Sequence, residues 1–151
     1  MSTLKLHTQI DAAPQEVFDV LTDIPRMGER IGGVVNIEML TDGPVGVGTR
    51  FKETRIMFKR EAAEEFEVTE MAPPARLVLV AESCGCRYVC THRLAPEAEG
   101  TRLELEMQIT PLGLVARLMS PLNFLMAGTM KKAIQQDLDD LKAAVESAKA
   151  R

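Results

Sequence analysis

The chain of 151 residues has no tryptophan, one tyrosine and five phenylalanines, so aromatics make up only 4% of it. Nine methionines stand in their place. Methionine fills irregular space and adapts to varied partners, so this balance suits a yielding cavity better than a solid core. An excess of positive charge is also missing. The net charge of −4 argues against a surface that tracks nucleic-acid phosphates, and no nucleic-acid partner is expected. Three cysteines are too few, and odd in number, for a disulfide framework; they read as reduced thiols in a cytoplasmic protein. The first residues, MSTLKLHTQIDAAPQEVF, lack the apolar run of a signal peptide. Elsewhere Arg, Ser or Pro interrupts every apolar stretch well before the length of a membrane span, so no membrane insertion is expected. The sequence contains no G-x-G-x-x-G, P-loop, G-x-S-x-G or H-E-x-x-H. No cofactor is implied, and Ser83, Ser120 and Ser147 have no evident base beside them. No repeat and no linker divides the chain, which reads as one domain over 1–151.

What is present is strong patterning. LKLHTQI (4–10) alternates, with Leu4, Leu6, Thr8 and Ile10 on one face. Asp11 stands in N-cap range of a helix whose first turn holds Pro14 and whose stripe is Val17, Phe18 and Leu21. PRMGERI (25–31) is a second short helix, ended by Gly32-Gly33. Strands follow at 34–40, twice within 49–70, and at 75–82, 86–94 and 101–109. TDGPVGVG, the Pro73-Pro74 pair and APEAEG (95–100) supply turn chemistry between them. Beyond Pro111, apolar residues from Leu118 to Val145 keep helical spacing, which predicts one long helix, bent or broken near Ser120-Pro121 and frayed over 147–151. The expected class is α+β. A curved antiparallel sheet of about seven strands wraps a long C-terminal helix, and the gap between them is the natural pocket.

Cys84, Cys86, Cys90 and His92 suggest zinc by type alone. Cys84 and His92 would sit about 26 Å apart on an extended strand, so no metal site is expected. Parity instead turns Tyr88, Cys90 and His92 toward the concave side, with Arg87 and Arg93 in solvent. His92 is then either a satisfied core group or a proton donor and acceptor toward a ligand. Met126 and Met130 on the helix, and Met107 on the last strand, complete the apolar lining.

This order of elements resembles the START-like, helix-grip (SRPBCC) superfamily and its polyketide cyclase/dehydrase-type members. The likeness rests on IDAAPQEVFDVLTDIPR, GVGTRF, FEVTEMAPPARL, HRLAPEAEGTRLELEM and KKAIQQDLDDLKAAV, and covers nearly the whole chain. It implies that Phe51 of GTRF points inward. Parity then carries Glu53 and Arg55 inward as well, and Glu64 faces them from the next strand with Phe66. Charges turned into an apolar interior are expected to pair. They either merely pair near the sheet end or anchor the polar group of a ligand. The resemblance implies binding of a small, mostly hydrophobic, lipid- or polyketide-like molecule. Two other readings stay open. One is a cyclase- or dehydratase-like enzyme moving protons with His92 and Glu53. The other is a protein-interaction module with a closed core, and a homodimer is also compatible.

Overall fold

The computed structural model describes residues 2–57, 59–83, 85–114, 118 and 120–149, with the side chains of 57 and 120–127 left aside. Alternating residues form β1 (Ser2–Ile10), which leads into α1 (Pro14–Leu21), a 3-10 turn (Ile24–Arg26) and α2 (Met27–Arg30). Six strands follow: β2 (Val34–Met39), β3 (Arg50–Met57), β4 (Arg60–Ala72), β5 (Arg76–Ser83), β6 (Cys86–Glu97) and β7 (Gly100–Pro111). The chain closes with the long helix α3 (Ser120–Lys149). The seven strands form one antiparallel sheet in the order β1-β7-β6-β5-β4-β3-β2. This is the helix-grip α+β arrangement. Among the described residues, no helix is long and apolar enough to cross a membrane.

Several boundaries differ from expectation for local reasons. The N-cap of α1 is Ala13, not Asp11. The Asp11 backbone N–H instead donates to Glu146 of α3 at 2.9 Å. APEAEG is mostly strand: Ala95 pairs with Arg102, Pro96 with Thr101 and Glu97 with Gly100, leaving Ala98-Glu99 as the turn. A polar composition does not end a strand while its neighbour still offers partners. Leu114 and Leu118 are also helical, the expected bend or break near Ser120-Pro121 borders Met119, outside the described residues, and the described run of helix α3 starts at Ser120. It runs unbroken through Lys149, whose ammonium donates to the Asp11 carbonyl.

The core lies between the sheet's concave face and α3. Ile134, Leu138, Leu141 and Val145 make the buried stripe of the helix, and they cluster with Leu6, Ile10, Val17, Phe18, Leu103 and Leu105. Polar contacts hold the same end: Lys142 donates to the Gln9 carbonyl, and the Thr101 hydroxyl, fully buried, donates to the Ala12 carbonyl at 2.7 Å. Beside Thr101, Gly100 lies against the end of β1. A β-carbon there would overlap the Ile10 carbonyl oxygen. Backbone cannot step aside as a flexible side chain can. Gly100→Ala should therefore cost about 3 kcal/mol, the upper range for overpacking, as measured by urea denaturation. An unchanged midpoint would show that β1 yields freely.

Candidate functional site

The strand registers order the concave face into rows. One row crosses Met39, Phe51, Phe66, Ala81, Tyr88 and Ile109. The next, further along, crosses Val68, Leu79, Cys90, Met107 and Leu4. Beyond it come Met71, Leu77, His92, Leu105 and Leu6. Burial grades along these rows. Leu77, His92, Leu105 and Leu6 are buried under α1 and the C-terminal half of α3. Phe66, Leu79, Tyr88, Met107 and Ile109 are only half-buried. Phe51 is buried and stacks on Phe66, with ring centroids 5.4 Å apart. Met130 continues the helix stripe and is also half-buried, while the side chain of Met126 lies outside the described residues.

At the open end stand the charges. The β3–β4 register runs without a shift from Arg50 to Met57, so Phe51, Glu53 and Arg55 share the concave face. Glu53 lies directly opposite Glu64. Arg55 Nη2 donates to Glu53 Oε1 at 2.7 Å and to Asp137 Oδ2 of α3 at 2.9 Å; Nε adds a bond to Glu53 at 3.2 Å. The side chains of Arg55, Glu53 and Asp137 are 20%, 15% and 25% exposed, so these are sheltered ions. The residues between Arg55 and the helix frame a cleft of about 230 Å³, lined by Gly33, Arg55, Ile56, Thr129, Ala133 and Asp137 among others. One turn further along α3, Asp140 accepts from the Gly32 backbone N–H at 2.9 Å and fixes the Gly32-Gly33 rim.

Asp137 is the residue that sequence reasoning missed. A signal existed: it is seven residues after Met130 and three after Ile134, on the flank of the same stripe, whereas Asp139 is not. In QQDLDD the three acids look alike until the helix is docked.

The electrostatics follow from burial and neighbours. Burial alone would lower the Arg55 pKa, but Glu53 and Asp137 outweigh it and hold the guanidinium above its ordinary range. Burial raises the Asp137 carboxyl even though Arg55 opposes it. Burial also raises Glu64, Glu53 adds to the rise, and Arg55 and the Ser83 hydroxyl oppose it. The Cys90 thiol is pushed up to about 12, first by burial and then by Glu64 and Glu53, which leaves it an unreactive neutral group.

His92 lies elsewhere. It pairs with Leu77, which pairs with Met71, seven residues along β4 from Glu64. That places it about 20 Å from the charged cluster along the strands. Burial lowers its pKa to about 4, and its Nδ1 has no partner among the described residues. The structure thus brings Glu53, Arg55 and Glu64 together with Asp137. It keeps Phe51, Tyr88, Cys90, Met107 and Met130 on the adjoining wall and His92 in the dry end. Among the described residues, outside which Cys84 lies, no three His, Cys, Asp or Glu side chains are grouped to hold a metal.

Comparison with known proteins gives one family and many structures. A family profile described as "Polyketide cyclase / dehydrase and lipid transport" matches residues 1–146. No curated protein matches the sequence. The crystal structure of TTHA0849 from Thermus thermophilus superposes with a TM-score of 0.77 at 20% identity, covering 97% of this chain and 99% of that one. Ara h 8.0201 gives 0.77 at 14% identity, over 97% and 98%. The di-domain ARO/CYC StfQ from the steffimycin biosynthetic pathway gives 0.80 at 13% identity, covering 99% of this chain but 52% of that one. At these identities the likeness is one of fold.

Two titrations follow. The folded state disfavours ionised Glu64, so this acid costs stability above its raised pKa and costs none below its ordinary value of 4.5. Glu64→Gln should raise the Tm at neutral pH, with the gain vanishing as pH falls below 4.5; a lower Tm at neutral pH would show that the charge is needed. His92 behaves in the opposite sense. Its depressed pKa gives stability that is present above 6.5 and lost as pH falls through about 4. That loss is at most about 3 kcal/mol. His92→Leu, compared with the wild type across this range, should lack this part of the acid limb. Parallel curves would mean that the imidazole is already solvated.

Proposed function

Because the chain belongs to the polyketide cyclase / dehydrase and lipid transport family, we propose that it holds a small, mostly apolar molecule against the half-buried concave wall. The polar end of that molecule lies at the Arg55–Asp137 cleft. One observation carries the reading: the wall of Phe66, Leu79, Tyr88, Met107 and Ile109 stays partly uncovered in a molecule whose opposite end is fully packed. Apolar surface left open beneath a helix is surface a ligand can cover.

Size assigns the parts. A site for a whole ligand occupies about 300–1,000 Å³. The cleft has about 230 Å³, enough for a polar end and its first few atoms, with the rest lying on the wall. Met107 and Met130 at the edge of the wall give it an adaptable rather than a fixed shape. Concerted proton transfer by His92 and Glu53 is disfavoured by their separation. The enzymatic reading retains only the charged cluster, where Glu64 holds a raised pKa suited to a proton donor.

The test is titration with N-phenyl-1-naphthylamine, a neutral apolar fluorophore. The folded protein should give saturable enhancement at one probe per chain. Leu79→Trp, which fills the wall, should weaken binding by about tenfold or more, about 1.4 kcal/mol. No saturable binding by the folded protein, or equal binding by the filled variant, would overturn the proposal.

A further inference from the structure

We propose that the cleft rejects anionic ligands and accepts a polar end that donates hydrogen bonds, a hydroxyl or an ammonium, rather than a carboxylate or phosphate. This rests on the reading above, that the cleft receives the polar end of an apolar molecule.

An arginine in an apolar pocket normally suggests the opposite, since its fork grips carboxylates. The fork here is already occupied. Nε and Nη2, the pair that meets a carboxylate with two parallel bonds, both go to Glu53 Oε1. Nη2 carries a second bond, to Asp137 Oδ2. The remaining terminal nitrogen, Nη1, lies beside Gly33, where a β-carbon would stand 3.8 Å away. An incoming anion would find only the Nη1 N–H groups on the Gly33 side, unless it displaced an intramolecular carboxylate and left it sheltered without its cation.

The acceptors, by contrast, are in surplus. Three carboxylates, Glu53, Glu64 and Asp137, surround this one guanidinium. Among the described residues, Arg55 is the cation that offsets the charge of Glu64 and Asp137. Glu53 Oε2 and Asp137 Oδ1 take no bond from Arg55. Gln136 and Thr129 complete the polar lining beside Asp137. Gln136 donates one amide N–H to Asp140 Oδ1, which leaves its carbonyl oxygen as an acceptor beside its second N–H. A site rich in acceptors and short of cations attracts donors and repels like charge. The raised pKa values of Glu64 and Asp137 agree: burial lifts both acids, and Arg55 does not offset it.

Three probes with one tail separate selectivity from tail binding: decan-1-ol, decylamine and decanoate. Each competes with N-phenyl-1-naphthylamine at neutral pH, below its critical micelle concentration. The alcohol and the amine should displace the fluorophore at concentrations at least about tenfold lower than decanoate. Asp137→Asn and Glu64→Gln should each narrow that ratio, by strengthening decanoate and weakening decylamine. Glu64 makes no bond to Arg55, so its variant keeps the ion pairs intact and retains its value if Asp137→Asn alters the helix. Saturable fluorophore binding with decanoate equal to or better than the amine would overturn the selectivity and leave the pocket standing. So would variants whose ratio matches the wild type. No fluorophore binding at all would overturn pocket and selectivity together.

Discussion

Burial of Ile134, Leu138, Leu141 and Val145 against β1 and α1 determines where the rest of the molecule can lie. Each such side chain contributes about 1.5–3 kcal/mol on leaving water. Four of them therefore match, as an upper bound, the whole net stability of about 5–15 kcal/mol for a small domain. Ion pairs at the other end of the helix cannot compete. For sheltered pairs the loss of hydration offsets much of the attraction. The helix is thus seated by its C-terminal half, and the Arg55 cluster is carried on a position already fixed by apolar packing. The cluster keeps three acids near one cation at a place that apolar packing sets.

The same division explains how much of the molecule was legible in the sequence. Strand alternation and helical period have direct physical causes within a few residues, so the seven strands, the two short helices and the long helix could be read. Leu103, Leu105, Met107 and Ile109 face inward as their spacing requires. Parity within β3 likewise put Glu53 and Arg55 on one face. Distances between strands are another matter. Whether His92 meets Glu53 depends on registers across β4, β5 and β6 and on the irregularity between Val68 and Glu70, none of which is written locally. Asp137 depends on the docking angle of a helix more than eighty residues away along the chain from Arg55.

Two buried groups of the concave face follow the same logic. Cys90 and His92 both face inward, but the environment neutralises them. Burial, then Glu64 and Glu53, hold the thiol neutral, and burial among Leu77, Leu105 and Leu6 disfavours the charged imidazole. Residue type alone marked both as candidate chemistry. In place, both are buried in the concave wall.

The β2 edge of the sheet has a consequence of a different kind. An open edge offers unpaired backbone groups to any passing extended chain. Here the register breaks between Val34 and Asn36, and Val35 is turned out with 49% of its surface exposed. A bulge of this sort bends and twists a strand that is only six residues long. The bulge twists the edge away from a flat partner and the exposed Glu38 adds a charge to it, and both features disfavour cross-strand polymerisation at this side.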